Sequence, residues 1–270
     1  MMALPSPAPD RTAVVTGASS GIGAEIAKEL AKRGHGVTLV ARRAEKLAEL
    51  AAELRGSGVR AEVVALDLAD RSARAGLLGE VEALGLTPDL LVNNAGLSTL
   101  GPIAAADPQE ELNMLEVDVA AVVDLCTRFL PGMVARGRGG ILNVASTAAF
   151  QPLPGQAGYG ACKAFVLSYT RSLGGELRGT GVSATALCPG PVDTGFGEAA
   201  GFSKEDAESA LPSFMWESAD AVARCGLDAL AKGHPVAIPG PANRVAAMVA
   251  HLSPKRLLVP ILASRHPGLR

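Results

Sequence analysis

TAVVTGASSGIG, residues 12–23, joins a short apolar run to a glycine-rich turn at the start of a helix. The β-branched run from Thr12 to Thr16 predicts a strand, and Ile22, Ile26 and Leu30 recur at helical spacing after the turn. A turn between a strand and a helix presents backbone N–H groups and the positive end of a helix dipole, which together suit a pyrophosphate. The stretch therefore predicts a nucleotide-binding strand, turn and helix.

The spacing of this turn, TGxxxGxG, differs from the GxGxxG dinucleotide fingerprint, and a glycine-rich turn on its own can be a simple helix entry. Its place between a first and a second predicted strand favours dinucleotide binding. We expect the following residues of the turn to contact the cofactor: Gly17, Ser19, Ser20, Gly21, Ile22 and Gly23.

Strands and helices alternate along the rest of the chain. Short apolar runs predict seven strands, at Thr12–Thr16, Val37–Ala41, Ala61–Leu66, Leu90–Asn93, Gly140–Ala145, Val182–Leu187 and Val236–Pro239. Helical patterns between them predict a doubly wound, mainly parallel α/β sheet flanked by helices, whose ligand crevice lies at the carboxyl ends of the strands. We expect one catalytic domain at 12–240, between a loose tail at 1–11 and a C-terminal extension at 241–270.

Composition and charge exclude several classes of protein. A length of 270 residues suits one α/β domain, and a net charge of −2 without blocks of like charge argues against a nucleic-acid partner. The four cysteines form no CxxC pair and the four histidines no HExxH, so we expect neither a metal site nor disulfides. No apolar run is long enough to cross a membrane, and residues 1–10 lack a secretory signal. We expect a cytoplasmic protein.

The end of the second predicted strand indicates which dinucleotide is bound. An NAD site wants a carboxylate there for the adenosine 2′-hydroxyl, but the chain reads Val40-Ala41-Arg42-Arg43. A guanidinium at Arg42 suits a 2′-phosphate, so NADP(H) is favoured and NAD(H) is the alternative, unless Arg42 and Arg43 simply open the next helix in solvent. Asp67 and Leu68, after the third strand, are expected at the adenine, although Asp67 could instead cap the following turn.

Tyr159 and Lys163 stand four residues apart, so they share one face of a helix. A phenol with an ordinary pKa near 10 transfers protons poorly at neutral pH, and a neighbouring ammonium favours the phenolate and so lowers the pKa. Ser146, thirteen residues earlier at the end of a strand, can bond a substrate carbonyl oxygen. The three residues predict acid/base chemistry at a carbonyl or alcohol.

Taken in order, TGASSGIG, NNAG, Ser146 with Tyr159-xxx-Lys163, and Pro189-Gly190 resemble the short-chain dehydrogenase/reductase family over about residues 12–240. The resemblance implies a single Rossmann-like domain that moves hydride between NAD(P)(H) and a carbonyl or alcohol. It implies that Tyr159 is the general acid/base, that Lys163 lowers its pKa and holds the nicotinamide ribose, and that Ser146 anchors the substrate oxygen. It further implies cofactor contacts at Asn94, Ala95, Gly96, Pro189, Gly190, Val192 and Thr194.

One position departs from the family pattern. The family's fourth catalytic residue, an asparagine whose backbone carbonyl holds a relay water, falls at Asp118 in this chain. A main-chain acceptor survives the substitution, so we expect activity to persist. A carboxylate close to Lys163 would also stabilise the ammonium and perturb the titration of Tyr159.

Residues 194–218 concentrate scarce aromatic side chains, at Phe196, Phe202, Phe214 and Trp216. We expect a lid over the nicotinamide and an apolar ketone or secondary alcohol as substrate, although these side chains could simply pack the segment onto the domain. Leu97, Phe150 and Leu153 follow the NNAG and serine motifs and are further candidates for the wall of the substrate site.

The C-terminal extension contains two apolar runs, Val245 to Leu252 and Leu257 to Leu262, separated by Ser253-Pro254-Lys255-Arg256. We expect it to pack on the domain or on a second subunit, with peripheral membrane contact as the weaker alternative. The family resemblance implies a homodimer or homotetramer formed through the helices at Val119–Ala135 and Tyr159–Arg178.

Two other functions fit the sequence less well than an oxidoreductase. A cofactor-binding regulator or scaffold would have no need of Ser146, Tyr159 and Lys163 together, and Asp118 is the only residue that favours it. Epimerase or dehydratase chemistry on a sugar nucleotide would call for a substantial C-terminal substrate domain, which this chain lacks.

Overall fold

The computed structural model describes residues 4–199, 201 and 212–269. Its strands are β1 Arg11–Thr16, β2 Val37–Ala41, β3 Ala61–Ala65, β4 Thr87–Asn93, β5 Gly139–Val144, β6 Val182–Leu187 and β7 Val236–Ala237. Its α-helices are α1 Gly21–Lys32, α2 Ala44–Gly56, α3 Arg71–Ala83, α4 Pro108–Leu115, α5 Ala121–Ala135, α6 Ala157–Glu176, α7 Phe196–Ala199, α8 Ala219–Ala231, α9 Pro241–Leu252 and α10 Lys255–Arg265. Four short 3₁₀ turns, at Ile103–Ala105, Thr147–Phe150, Ser213–Met215 and Pro267–Leu269, complete the described elements.

The seven strands form one sheet in the order β3-β2-β1-β4-β5-β6-β7, and every pairing is parallel. The prediction of a doubly wound α/β sheet is confirmed. Strand order reverses between β1 and β4, so the loops that follow these strands diverge and open a crevice at their carboxyl ends.

Two strand boundaries differ from the predicted ones by more than one residue. β4 begins at Thr87, three residues early, because the Thr87 N–H donates to Asp10 O at 2.8 Å and the Asp89 side chain pairs with Arg11 and Arg138. β7 ends at Ala237 instead of Pro239, because a proline has no N–H with which to extend the ladder.

The core consists of Ala, Val, Leu and Ile side chains on both faces of the sheet, with few aromatics among them. Ile26 and Leu30 of α1 are fully buried against one face, and Leu125 and Phe129 of α5 are buried against the other. Because both faces are covered by helices, the strands read as continuous apolar runs. The rigid sheet fixes the positions of the loops that carry the site.

A π-helical segment, Glu116–Ala120, joins α4 to α5 where the sequence predicted two separate helices at 110–117 and 119–135. The wider turn of a π segment re-aims the side chains on it and is often found at functional sites. Asp118 lies in this segment and is buried.

Gly23 offers a test of how closely α1 packs behind the glycine-rich turn. A Cβ at Gly23 would lie 2.4 Å from both Gly17 O and Asn94 Nδ2, so Gly23→Ala is expected to destabilise the fold by ~1–3 kcal/mol through overpacking. Gly56→Ala, at the end of α2 with nothing within 4 Å of the added Cβ, is the control and should be neutral or slightly stabilising. Equal urea midpoints for Gly23→Ala and the native protein would refute this packing argument.

Helices α9 and α10 follow the sheet and pack beside the crevice. Asn243 of α9 is completely buried and its Nδ2 donates to Met215 O at 2.9 Å, which ties α9 to the Ser213–Met215 turn. Within the described part of the chain, no helix combines the length and the apolar character that a membrane span requires.

Candidate functional site

A cavity of about 900 Å³ lies at the carboxyl ends of the strands. The glycine-rich turn forms one end of it, the segments after β4, β5 and β6 form its floor, and residues of α9 and α10 form part of its wall. Ser146, Tyr159 and Lys163 all line it, so the fold brings the three predicted catalytic residues to one place.

The glycine-rich turn is held against the end of β4 by a compact set of hydrogen bonds. The Thr16 hydroxyl accepts from Asn94 N at 3.0 Å and Ala95 N at 3.1 Å and donates to Val92 O at 3.2 Å. The Asn94 Nδ2 donates to Thr16 O at 3.0 Å. Gly17 has φ +65°, and a Cβ there would lie 2.8 Å from Ala95 Cα, so only glycine fits this close approach.

Five of the six turn residues predicted to contact the cofactor line the cavity, namely Gly17, Ser19, Ser20, Gly21 and Ile22. Gly23 does not line it. This glycine lies behind the turn, against Gly17 O and Asn94 Nδ2, so its role is close packing of α1 on the strand. Gly23 lies on the buried side of α1, and its contact with the cofactor stays a prediction.

Arg42 and Arg43 both line the cavity but make different contacts. Arg43 lies over the glycine-rich turn, where its Nη2 donates to Ser19 Oγ at 2.9 Å and to Ser20 Oγ at 2.7 Å. Arg42 is exposed, with its Nη1 3.9 Å from Asp67 Oδ2. The pair therefore brackets the end of β2, with Arg43 beside the turn and Arg42 beside Asp67 and Leu68, which also line the cavity.

Lys163 is buried one helical turn after Tyr159 on α6. Its Nζ lies 2.9 Å from Asp118 Oδ2, 3.3 Å from Val144 O and 5.5 Å from the centre of the Tyr159 ring. The other carboxylate oxygen of Asp118, Oδ1, accepts from Leu97 N at 2.7 Å. The two oxygens of Asp118 thus serve two different donors.

Gly96 makes room for this ion pair. A Cβ at Gly96 would lie 3.1 Å from Lys163 Nζ and 3.2 Å from Asp118 Oδ2. An added Cβ at this last glycine of the NNAG motif would press on the buried charge pair and require it to shift by a few tenths of an ångström.

The pKa values in this cluster follow from burial and from the ion pair. Burial opposes the charge of Lys163, but the Asp118 carboxylate outweighs it and the pKa of Lys163 is raised. Burial raises the pKa of the Asp118 carboxyl, although the Lys163 ammonium opposes this shift.

Burial also raises the pKa of Tyr159, against the opposing effects of Lys163 and of the nearby Ser146 hydroxyl, and Asp118 raises it further. The sequence predicted a net lowering. The ammonium does act in the predicted direction, but it is outweighed by burial of the phenol and by the carboxylate that accompanies the ammonium.

Ser146 lies two residues after β5 and caps the Thr147–Phe150 turn, where its Oγ accepts from Ala148 N at 3.1 Å. This contact holds Ser146 at the start of the turn, where the residue lines the cavity. Tyr159 also packs on Phe196, with ring centres 6.0 Å apart.

The predicted wall residues divide into three groups. Phe196, Trp216, Leu97 and Leu153 line the cavity. Phe214 is 71% exposed and lies outside the lining, and Phe202 falls outside the described residues. Phe150 was wrongly expected in the wall: it is buried in the core, with Arg171 over its ring and His251 of α9 against its edge.

The remaining predicted positions after β4 and β6 also line the cavity, namely Asn94, Ala95, Gly96, Pro189, Gly190, Val192 and Thr194. Thr194 approaches the glycine-rich turn, because a Cβ at Gly21 would lie 2.9 Å from Thr194 Cβ. The segment after β6 therefore closes over the turn from the opposite side.

Several lining residues carry no motif and were not anticipated. They are the alanines of α9, Leu262 and His266 near the C-terminus, and the polar residues Gln151, Gln156 and Asn243. The only available signal for α9 was the small-residue spacing of Ala246, Ala247 and Ala250, which leaves space beside a helix. His266 Nε2 lies 3.3 Å from Gln156 Oε1, so the end of the chain is fastened beside the start of α6.

The donors and shape of the cavity fit a phosphorylated dinucleotide. Glycines with positive φ form a cradle that a side chain would fill, α1 begins directly beneath it, and Arg42 and Arg43 supply positive charge at its edge. Among the described residues, no group of three or more His, Cys, Asp or Glu side chains could hold a metal ion.

Comparisons with known proteins agree with this geometry. The profile described as short chain dehydrogenase matches residues 11–204. The chain is 39% identical to the granaticin polyketide synthase putative ketoacyl reductase 1 of Streptomyces violaceoruber over 199 residues, 73% of each protein. It is 38% identical to a short chain dehydrogenase of Pseudocercospora fijiensis over 191 residues, 69% of this chain but 61% of that relative. A solved short-chain dehydrogenase from Sphingobium yanoikuyae in complex with NADPH superposes with a TM-score of 0.79 at 31% identity, covering 93% of this chain and 95% of that one.

Proposed function

Because the chain belongs to the short-chain dehydrogenase/reductase family, whose members are oxidoreductases of alcohols and carbonyls, we propose that it transfers hydride between NADP(H) and an apolar carbonyl or secondary alcohol. One observation carries the proposal: Tyr159, beside Lys163, and Ser146 face the same cavity as the glycine-rich turn.

Each catalytic side chain has one task. Ser146 and Tyr159 bond the substrate oxygen, and in the reductive direction Tyr159 gives the proton to that oxygen. Lys163 stabilises the phenolate that remains and, with Gly96 and Asn94, borders the place of the nicotinamide ribose. The bound cofactor supplies the hydride, and the protein orients the substrate and excludes water.

The proposed preference for NADP(H) rests on Arg42 and Arg43. Neither the end of β2 nor the adjoining turn offers a carboxylate for a ribose 2′-hydroxyl, whereas two guanidinium groups line the cavity there. The Sphingobium relative was solved with NADPH. Arg43, already bonded to Ser19 and Ser20, is the better placed of the two to hold a phosphate beside the turn.

Replacing Arg43 by Ala is expected to raise the KM for NADPH by about 10- to 100-fold, the loss of one charge-assisted contact of ~1.5–3 kcal/mol. The KM for NADH should change little, because NADH lacks the 2′-phosphate. Lys46→Ala removes a cation from the same helix outside the cavity and is the control. If the ratio of the KM for NADPH to the KM for NADH is the same in Arg43→Ala and in Arg42→Ala as in the native protein, the NADP(H) assignment loses its basis.

The proposed substrate is a bulky apolar ketone or its secondary alcohol. Phe196 packs on Tyr159, and Trp216, Ala246, Ala250 and Leu262 line the same cavity, so apolar side chains form much of its wall. A panel of ketones of increasing size, each followed by NADPH absorbance, tests this assignment. Faster turnover of small hydrophilic aldehydes than of every apolar ketone would contradict it.

The regulator alternative is not favoured, because Ser146, Tyr159 and Lys163 occupy one cavity. The proposed assembly is a homodimer or homotetramer, supported by exposed apolar side chains on α4, α5 and α6, at Leu112, Leu115, Val134 and Phe165. Light scattering of the native protein measures the number of subunits. A cytoplasmic location stays a prediction.

A further inference from the structure

The C-terminal helices expose an unusual amount of apolar surface. Six large apolar side chains on α9 and α10 are each more than half exposed, and we call them the C-terminal apolar face: Val245, Met248, Val249, Leu252, Leu257 and Ile261. None of the six lines the cavity. Their exposure therefore has no explanation in the proposed reaction.

Four residues of the C-terminal apolar face lie on one side of α9. Positions 245, 248, 249 and 252 recur at i, i+3, i+4 and i+7, so they form one stripe along α9. Asn243, Ala247 and Ala250 of the same helix are buried against the domain. The stripe thus points away from the protein, and α9 is apolar on both its inner and its outer sides.

The charge of this part of the chain is one-sided. Residues 229–270 contain six Lys and Arg and no Asp or Glu, so they carry a charge of +6. Because the net charge of the whole chain is −2, the first 228 residues carry −8. Lys255 and Arg256 stand between the apolar side chains of α9 and those of α10, and both are exposed. Neither forms an ion pair with a carboxylate among the described residues. The Lys255 ammonium donates to Ala250 O at 2.6 Å and to His251 O at 3.3 Å at the end of α9, and no acidic side chain that the structure describes neutralises its charge.

We propose that the C-terminal apolar face binds the surface of an anionic lipid bilayer. Exposed apolar side chains flanked by basic ones suit the boundary between acyl chains and negatively charged headgroups. A second copy of the chain is a poorer occupant, because a two-fold contact would bring two acid-free basic segments against each other.

Docking in this manner places the wall of the cavity next to the bilayer. The inner residues of α9, Ala246, Ala247 and Ala250, line the cavity while its outer stripe meets the lipid. We infer that an apolar substrate enters the cavity from the bilayer, and this inference rests on the proposed function. Docking itself does not depend on any catalytic activity.

Co-sedimentation of the full chain with vesicles tests the proposal. The native protein is expected to sediment with vesicles of phosphatidylcholine and phosphatidylglycerol, to be released at high salt, and to remain in solution with phosphatidylcholine alone. The double variant Met248→Glu/Leu252→Glu should lose at least tenfold in affinity for the anionic vesicles. Lys255→Glu/Arg256→Glu should lose binding as well, which a purely apolar contact would not do.

Ile103→Glu is the matched control, because Ile103 is 56% exposed outside the C-terminal helices and Met248 is 57% exposed. It should bind vesicles like the native protein. Native protein that stays in solution with anionic vesicles would overturn the proposal, as would an equal loss in Ile103→Glu. Self-association that Met248→Glu/Leu252→Glu abolishes, with no vesicle binding by the native protein, would assign the face to a second copy instead.

Discussion

Replacing Tyr159 by Phe is expected to reduce kcat by about 10²- to 10⁴-fold or to abolish turnover, because the phenol is the only group in the proposed mechanism that exchanges a proton with the substrate oxygen. The phenyl ring keeps the packing on Phe196 at 6.0 Å. NADPH binding, measured by the fluorescence of the cofactor, should remain nearly unchanged. The variant thus separates loss of chemistry from loss of the site.

Tyr169→Phe is the matched control. Tyr169 is the chain's other tyrosine, lies on the same helix, and stacks on Phe165 instead of lining the cavity. This variant should turn over like the native protein. Normal turnover by Tyr159→Phe, or an equal loss in both variants, would remove Tyr159 from the mechanism.

Asp118→Asn, which restores the residue typical of the family, is expected to destabilise this protein by about 3 kcal/mol. Asp118 Oδ1 accepts from Leu97 N and Oδ2 from Lys163, whereas an asparagine has one acceptor oxygen and turns an NH₂ group towards the other donor. The variant leaves a buried N–H or a buried ammonium without its acceptor, and breaking a buried ion pair costs ~3–5 kcal/mol. Urea unfolding of the native and Asp118→Asn proteins measures the loss.

Lys163→Met supplies the necessary comparison, because it removes the ammonium for which the carboxylate is needed. When Asp118→Asn is added to Lys163→Met, it should lower the free energy of unfolding much less than it does in the native protein. The same cost in both backgrounds would mean that the 2.9 Å pair contributes nothing to stability.

The same substitution should shift the pH dependence of alcohol oxidation. The negative charge of Asp118 raises the pKa of Tyr159, so its removal lowers that pKa. Oxidation needs the phenolate, so kcat/KM for the alcohol rises with pH as the phenol ionises. In Asp118→Asn this rise in kcat/KM should therefore occur at lower pH. A limb that stays in place or moves to higher pH would contradict the assigned influence of Asp118 on Tyr159.

Much of the fold followed from local patterns. The β-branched runs Thr12–Thr16 and Val182–Leu187 are strands whose boundaries nearly match the predicted ones, because parallel strands buried on both faces leave a continuous apolar signal. Tyr159, Lys163 and Ser146 meet at the cavity because each follows a fixed element of the sheet or lies on α6.

What the sequence could not supply depends on side-chain direction and on contacts between distant segments. Nothing in the order Arg42-Arg43 indicates which guanidinium turns towards Ser19 and Ser20. The π-helical turn at Asp118 aims a carboxylate at Lys163, 45 residues later in the chain, and this carboxylate adds to the upward shift that burial gives the pKa of Tyr159. Phe150, next to the serine motif, turns into the core instead of the wall.

In the proposed reaction, hydride passes directly between the nicotinamide and a carbonyl carbon of the substrate. Deuterium labelling tests this transfer: the protein is given an apolar ketone and NADPH deuterated at the transferable position of nicotinamide C4, and the product is examined by mass spectrometry. We expect one deuterium on the carbinol carbon with the native protein and no labelled product with Tyr159→Phe. An alcohol product whose carbinol hydrogen comes from solvent, with the label retained on the cofactor, would contradict it.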